Sequence, residues 1–236
     1  MIPADLRLRL VTAFALALAI SALGHLRGAL TALALSALLA ALARPGRAML
    51  HRLAHVEGLV ALLLITLPFT TPGAALFTLG PLTASVEGLT RAALLAAKIT
   101  AVALALMALL GAAEPARIGA ALAALRLPEP LVRALTLTLR YLAVMRGEAH
   151  RLGEAMRARG FAPGTNRHTW RSYGNLIGML LLRALDRARR IDEAMRARGF
   201  SGRFPHAVQA RIAPRDWAGA ALIAAGAVFA LGVDRL

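Results

Sequence analysis

Long apolar runs constrain the fold of this chain more than any other feature. Five segments are rich in Leu, Ala and Val, and basic or proline-containing stretches separate them; they cover residues 10–23, 29–43, 57–67, 89–113 and 217–233. A helix needs about 20 mostly apolar residues to cross a bilayer core of about 30 Å. The first two runs are short, but with the residues between them they can cross as a tight helical hairpin. The pattern therefore predicts a polytopic membrane protein.

The composition supports this interpretation. Hydrophobic residues make up 58% of the 236 residues, whereas soluble domains contain about 45–50%. The formal net charge is nevertheless +16, from 28 Lys and Arg against 12 Asp and Glu. An ordinary soluble enzyme is rarely this apolar, and a disordered basic tail is not apolar at all. A large basic excess on an apolar chain is typical of a membrane protein that keeps its charge in the cytoplasm.

The distribution of basic residues predicts the orientation. Basic residues precede the first run and fill the segment 44–56, whereas the segment 68–86 contains no Lys or Arg. By the positive-inside rule the N-terminus and the segment 44–56 lie in the cytoplasm, and the segment 68–86 lies outside. The basic segment after Glu114 returns to the cytoplasm, and the last run carries the C-terminus outward. A cleaved signal peptide is the alternative interpretation of the first run alone.

We therefore expect an all-α fold with about five transmembrane helices and two long cytoplasmic helices. Residues 1–113 should hold transmembrane helices 1–4, and residues 216–236 the last one. The third span, near residues 57–67, is the least regular, because a stretch rich in Pro, Gly and Thr follows it. Residues 114–215 should form the cytoplasmic or interfacial part.

Some kinds of chemistry do not fit this sequence. The chain has no Cys, which excludes disulfides and thiolate metal sites. Its single Lys, Lys98, lies between Ala97 and Ile99, whereas a Walker A loop needs Gly before the Lys and Ser or Thr after it. We expect no cofactor in this chain, so that ATP and Mg would be bound by a partner subunit. Because Lys98 lies inside an apolar run, it is a candidate for a functional role, with a structural role as the alternative.

The histidines offer a weak metal-site pattern. His51 and His55 have the i, i+4 spacing of a zinc-binding helix, but Arg52 stands where the hydrolytic motif has Glu. The pattern offers no third ligand beyond Glu57, so we expect no metal site here. A membrane-embedded enzyme would need paired carboxylates or a His/Asp cluster inside a span, and the runs contain neither.

The segment 126–215 carries most of the basic excess, with 18 Arg against 6 acidic residues. Apolar residues recur there at alternating steps of three and four, which is typical of one face of a helix. They predict a first helix that begins after Pro128-Glu129-Pro130 and runs to Arg159. A second helix is predicted from Trp170 to Arg198.

Both predicted helices end in the same eight residues. Residues 154–161 read Glu-Ala-Met-Arg-Ala-Arg-Gly-Phe, and residues 193–200 repeat them. The glycines suit the left-handed position that ends a helix, and the phenylalanines can pack one turn back on the methionines. The residues of this helix stop are Met156, Gly160 and Phe161, with Met195, Gly199 and Phe200 in the second copy.

A helix stop does not require the Arg-Ala-Arg that precedes each glycine. The four arginines are Arg157, Arg159, Arg196 and Arg198. Arginine forms bidentate contacts with carboxylates, and two identical sites match a partner with two identical subunits. The repeat therefore predicts docking to a symmetric dimer that has an acidic groove on each subunit.

These motifs carry a family resemblance. Ala158-Arg159-Gly160 and Ala197-Arg198-Gly199 end long helices after several spans, as in the transmembrane T component of energy-coupling factor (ECF) transporters. Within that family, the stretch Arg171-Ser172-Tyr173, Leu176, Arg183 and the residues 194–202 resemble the CbiQ type from cobalt and nickel uptake systems. The resemblance is tight over residues 131–204, whereas over the spans it rests on hydropathy and topology.

The resemblance implies a coupling subunit of an ABC importer in the bacterial inner membrane, which is not itself an enzyme. Such a subunit binds a CbiO-like ATPase dimer through the two motifs, and it passes the motion of the ATPases to a CbiM-like substrate-binding membrane subunit. A small auxiliary membrane subunit is a further partner that the resemblance implies. The implied docking residues are Ala158, Arg159, Gly160, Ala197, Arg198 and Gly199.

Two alternatives stay open at this point. The first is a T component of a vitamin importer, for example one for biotin. The second is a membrane-anchored nucleic-acid-binding protein, suggested by a pI near 11.9. The apolar spans argue against the second, and we expect the lipid bilayer and protein subunits, rather than nucleic acid, to be the partners.

Overall fold

The computed structural model describes residues 3–43, 47–79, 82–125, 127–200 and 212–235. The described residues are about 82% helical, and they form eight helices and one β-hairpin. The helices are α1 Leu6–Ala22, α2 Leu26–Leu42, α3 Arg47–Thr70, α4 Val86–Leu110, α5 Pro115–Ala124, α6 Glu129–Ala158, α7 Arg167–Ala197 and α8 Pro214–Asp234. The hairpin consists of β1 Ala75–Leu79 and β2 Leu82–Ser85, which pair antiparallel.

The chain forms two compact units, of which the first contains residues 1–113 and 210–236. Helix α4 packs against α1, α2 and α3, and α8 packs against α1 and α2. The buried face of α4 consists largely of alanines, including Ala92, Ala97, Ala101 and Ala105. Small residues let helix backbones approach closely, which is how helices associate in a membrane.

The outer surface of this unit is apolar. Phe14, Ile65, Val228 and Phe229 are all more than 60% exposed, which in water would be unfavourable but suits contact with lipid tails. Helices α3, α4 and α8 contain stretches long and apolar enough to cross a membrane, and α2 is a shorter apolar helix of 17 residues. The predicted all-α polytopic membrane protein is confirmed.

Two local features of this unit differ from the sequence prediction. Helix α3 begins at Arg47, so most of the segment 44–56 is helical, whereas we expected a loop that joins two spans. Residues 47–56 contain neither Gly nor Pro, and Ala, Met, Leu and Arg all favour a helix. Helix α3 also continues through Pro68 to Thr70 before the β-hairpin begins.

The second unit contains residues 114–209 and consists of α5, α6 and α7. Helix α5 was not predicted; it packs on α6, where Gly119 lies so close to Thr136 that a Cβ would contact its hydroxyl at 2.5 Å. The two long helices follow the prediction closely. Helix α7 begins three residues earlier than expected, because the side chain of Asn166 accepts a hydrogen bond of 2.8 Å from the Thr169 N–H and caps the helix.

Candidate functional site

The two repeated helix ends have the same backbone structure. Gly160 and Gly199 have φ angles of 80° and 77°, which L-residues with a side chain rarely adopt. The N–H of Phe161 bonds the Met156 carbonyl at 3.1 Å, and the N–H of Phe200 bonds the Met195 carbonyl at 3.0 Å.

Each glycine N–H bonds the carbonyl of the first arginine of its motif at 3.0 Å. This is the Schellman arrangement, so the predicted helix stop is confirmed at both copies. Arg159 and Arg198 occupy the C-cap position of α6 and α7.

The arginines at these ends are available to a partner. Arg157, Arg159 and Arg198 are exposed, and none of their side chains has a hydrogen-bond or ion-pair partner among the described residues. Arg196 is also exposed but binds Asp192 at 2.7 Å. A cation at a helix C-terminus is favoured by the helix dipole, so these charges sit stably where an incoming carboxylate could reach them.

The phenylalanines that follow the motifs have different surroundings. The ring of Phe161 packs edge-on against Tyr173, with 5.5 Å between ring centroids. The ring of Phe200 lies under the Arg133 guanidinium, 5.6 Å from its centroid. The two helix ends are therefore alike in backbone and charge, and each is anchored by its own neighbours.

Helices α6 and α7 run antiparallel. The end of α6 contacts the beginning of α7 through Phe161 and Tyr173, whereas the beginning of α6 contacts the end of α7 through Arg133 and Phe200. Between these contacts, Glu148 of α6 bonds to α7. The two cationic ends consequently point in opposite directions along the helix pair.

The contact in the middle lies equally far from both ends. Glu148 bonds Arg187, which is 39 residues later in the chain, and 39 is also the offset of the repeated octapeptide. Glu148 therefore precedes Arg159 by as many residues as Arg187 precedes Arg198. We call the helix segments from Glu148 to Arg159 and from Arg187 to Arg198 the two cationic arms. At 1.5 Å per residue each arm is about 16 Å long. The two cationic ends therefore lie the same number of residues from this contact, one on each side of it.

The structure gives Lys98 a capping role. Its Nζ donates hydrogen bonds to the carbonyls of Ser21 and Leu23 at 2.7 and 2.8 Å. The last carbonyls of a helix lack partners within it, so Lys98 of α4 satisfies the end of α1.

Asp234 caps the next helix, a role that no pattern in the sequence predicts. Its carboxylate accepts hydrogen bonds of 2.8 Å from the N–H groups of Gly24 and His25, at the beginning of α2. A Cβ at Gly28 would collide with the Asp234 side chain. The turn between α1 and α2 is thus held by side chains from α4 and α8.

The histidine pair does not assemble a wider site. Nδ1 of His55 lies 2.6 Å from the carbonyl oxygen of His51, and Glu57 accepts a hydrogen bond of 3.0 Å from Thr100. In the part of the chain that the structure describes, no group of three or more His, Asp or Glu side chains could hold a metal ion.

Comparison with known protein families identifies the family of this chain. The model of the CbiQ family, described as cobalt transport protein, matches residues 2–209. The chain belongs to this family. A search of curated proteins finds no match. The CbiQ match covers both arginine motifs and all spans except α8, whereas Ser201 and Gly202, which contribute to the resemblance, lie outside the described residues. This CbiQ protein is therefore a membrane component of a cobalt-type transporter.

Proposed function

We propose that this chain is the T component of an ECF importer, which couples two ATPase subunits to a substrate-binding membrane subunit. The observation that carries the proposal is the duplicated cationic helix end. Two identical motifs lie at opposite ends of one antiparallel helix pair, at equal distances from its centre. A partner with two identical subunits would meet the same side chains at each of its two sites.

The charges suit an acidic partner surface. Arg159 and Arg198 are exposed and unpaired among the described residues, and each stands at the end of a rigid helix rather than on a loop. An Arg fork can bind a carboxylate with two parallel hydrogen bonds. CbiO-like ATPases would hold the ATP and Mg, while this chain would transmit their motion without catalysing a reaction.

The apolar side of α7 suits a second, membrane-embedded partner. Its first half exposes large apolar side chains although the helix also carries many charges; they are Trp170, Tyr173, Ile177, Met179, Leu181 and Leu182. Such a surface is covered by a partner or by lipid. We assign it to a CbiM-like substrate-binding subunit, with a small auxiliary membrane subunit in the same complex.

The family description favours a metal cargo over a vitamin. Cobalt is the ion that the family name specifies, and nickel is the close alternative that the resemblance implies. The complex would lie in the bacterial inner membrane, with the N-terminus and the arginine motifs in the cytoplasm and the C-terminus outside.

Charge reversal at both motifs tests the coupling role. In the purified chain, Arg159→Glu combined with Arg198→Glu should abolish binding of the CbiO-like ATPase from the same genome, because each acidic groove would meet a carboxylate. Either single change should retain weakened binding through the other end. The measurement is co-purification in detergent, followed by titration of the ATPase.

The matched control makes the same change of charge elsewhere on α7. Arg189 and Arg190 are exposed, so Arg189→Glu with Arg190→Glu should leave ATPase binding within about twofold. Full retention of the ATPase by the Arg159/Arg198 double variant, in a folded protein, would refute the docking role.

A further inference from the structure

One carboxylate joins the two long helices at their centre. Glu148 of α6 binds Arg183 of α7 at 2.9 Å and Arg187 at 3.4 Å, and it also binds Arg151 on its own helix at 3.1 Å. Its side chain is only 14% exposed. Three arginines thus share one anion at the interface of the two helices.

Arg187 of α7 depends on the Glu148 carboxylate for its ion pairing. Nε of Arg187 is buried and has no hydrogen-bond partner among the described residues. The only ion pair that Arg187 makes there is the one with Glu148. The Arg187 side chain is 33% exposed, so without the Glu148 charge its guanidinium would turn outward to water and this contact between the two helices would be lost.

The position of this contact is what sets it apart from ordinary surface ion pairs. In the register of the repeat, Glu148 and Arg187 are equivalent positions, since they are 39 residues apart like the octapeptides. Through its bond to Arg187, Glu148 therefore joins the two helices at a level where both cationic arms have the same length. A shift of one helix turn along α7 would leave the α6 arm unchanged and would change the α7 arm, and with it the span between Arg159 and Arg198, by about 5.4 Å.

We propose that Glu148 is a positioning residue that fixes the level at which α6 and α7 cross, and so sets the span between Arg159 and Arg198. This inference rests on the proposed docking function and adds to it the element that sets the spacing. With both arms of equal length, the span between the two ends is on the order of 30 Å. A fixed span lets the second end bind at high effective concentration once the first has docked.

A distance measurement tests the positioning role of Glu148 without any partner protein. The chain has no Cys, so Ala155→Cys and Ala194→Cys, at equivalent exposed positions near the two ends, can carry a pair of spin labels. In the full-length protein we expect one narrow distance distribution. Glu148→Gln should broaden or shift it, whereas Glu148→Asp should keep it narrow, because the charge is retained and the flexible arginines can follow.

The matched control removes a similar charge from the same helix. Glu154 is exposed, and among the described residues its carboxylate pairs with His150 of the same helix, at 3.2 Å. Glu154→Gln should therefore leave the distance distribution unchanged. A distribution for Glu148→Gln that has the same width and the same mean distance as the parent's would overturn the proposal, provided that the helical signal shows an intact fold.

ATPase titration then separates positioning from simple destabilisation. In the parent background, Glu148→Gln should weaken ATPase binding by about tenfold, because avidity depends on the span between the two ends. In an Arg198→Glu background, where one end docks, the same change should have less than a twofold effect. An equal loss in both backgrounds would show that Glu148 supports only its own helix, and would overturn the positioning role.

Failure of this inference differs from failure of the proposed function. Suppose that Arg159→Glu with Arg198→Glu abolishes ATPase binding, but Glu148→Gln changes neither the distance between the two labels nor the affinity for the ATPase. The docking function is then supported, and the positioning role of Glu148 is wrong. If Glu148→Gln broadens the distance distribution while the Arg159/Arg198 double variant still binds the ATPase, the positioning role of Glu148 is supported and the docking function is wrong.

Discussion

At the scale of single residues, three charged side chains of this protein stabilise helix ends or join two helices. Lys98 and Asp234 cap the two sides of one turn in the membrane unit, and Glu148 joins two helices in the other unit. Each contacts residues far away in the sequence. Charged residues in this protein therefore have structural roles, in addition to the role of the basic ones in predicting the orientation of the chain in the membrane.

Replacing Lys98 tests its role as a cap. Lys98→Met keeps the length of the side chain but leaves the Ser21 and Leu23 carbonyls without their donor. We expect a loss of about 1–3 kcal/mol in the free energy of unfolding, measured by thermal or denaturant unfolding in detergent. Arg91 is exposed on the same helix, so Arg91→Met is the control, and equal effects of both changes would contradict the capping role.

The ion pairs of Glu148 predict a pH dependence. The hydrogen bond from Arg183, with the charge of Arg151, holds the pKa of the Glu148 carboxyl below its ordinary value. A carboxyl with a lowered pKa in the folded state stabilises the fold fully above its unfolded pKa of about 4.3, and loses this effect as pH falls through the folded pKa. The difference in unfolding free energy between the parent and Glu148→Gln should therefore be constant near neutral pH and shrink in acid. A difference that does not change between pH 7 and pH 3 would contradict this assignment.

At the scale of helices, the two repeated ends show how a local motif sets a functional geometry. The left-handed glycine stops each helix one residue after its C-cap arginine. The arginine is thereby held at the tip of a regular helix. Both ends could be predicted from the sequence because the Schellman hydrogen bonds involve only residues within six positions of one another.

Two alanine substitutions on α6 should have opposite effects. Gly160→Ala places a side chain at a φ angle of 80° and should cost about 1–2 kcal/mol of stability at that end. Gly153 lies inside α6, where a Cβ would meet nothing within 4 Å, so Gly153→Ala should stabilise the helix by about 0.5–1 kcal/mol. Unfolding of both variants, followed by circular dichroism, checks the signs. Stabilisation by Gly160→Ala would show that the helix does not stop there in solution.

At the scale of the whole molecule, the chain divides its composition between two units. The unit with residues 1–113 and 210–236 exposes apolar side chains to lipid, whereas the unit with residues 114–209 carries the arginine motifs. The basic excess of the second unit is what predicts its cytoplasmic location by the positive-inside rule.

Thiol labelling tests this orientation, since the chain has no Cys of its own. Ala74 precedes the β-hairpin and Ala162 follows the first arginine motif, and both are exposed. A membrane-impermeant maleimide should label Ala74→Cys in intact cells, but Ala162→Cys only after the membrane is opened. The reverse pattern would overturn the proposed orientation.

The sequence by itself determined the features that depend on neighbouring residues. Apolar runs predict the spans, because burial in lipid depends on length and composition; the repeated octapeptide predicts both helix ends, because their hydrogen bonds are local. The membrane class and the long helices α6 and α7 were therefore predicted. The early start of α3 was not predicted, because the basic charge of its first residues indicates the side of the membrane and not the secondary structure. The short helix α5 was not predicted, because a helix of 10 residues is marginal until it packs against α6.

Only the tertiary structure decided which distant side chains meet. Lys98 reaches α1 across 75 residues, Asp234 reaches α2 across 209, and Glu148 reaches Arg187 across 39. No local pattern encodes such pairs, because they depend on the register in which helices pack, and many registers bury similar apolar faces. The repeat spacing appears in the sequence, but its placement around one central ion pair follows from the packing of α6 on α7.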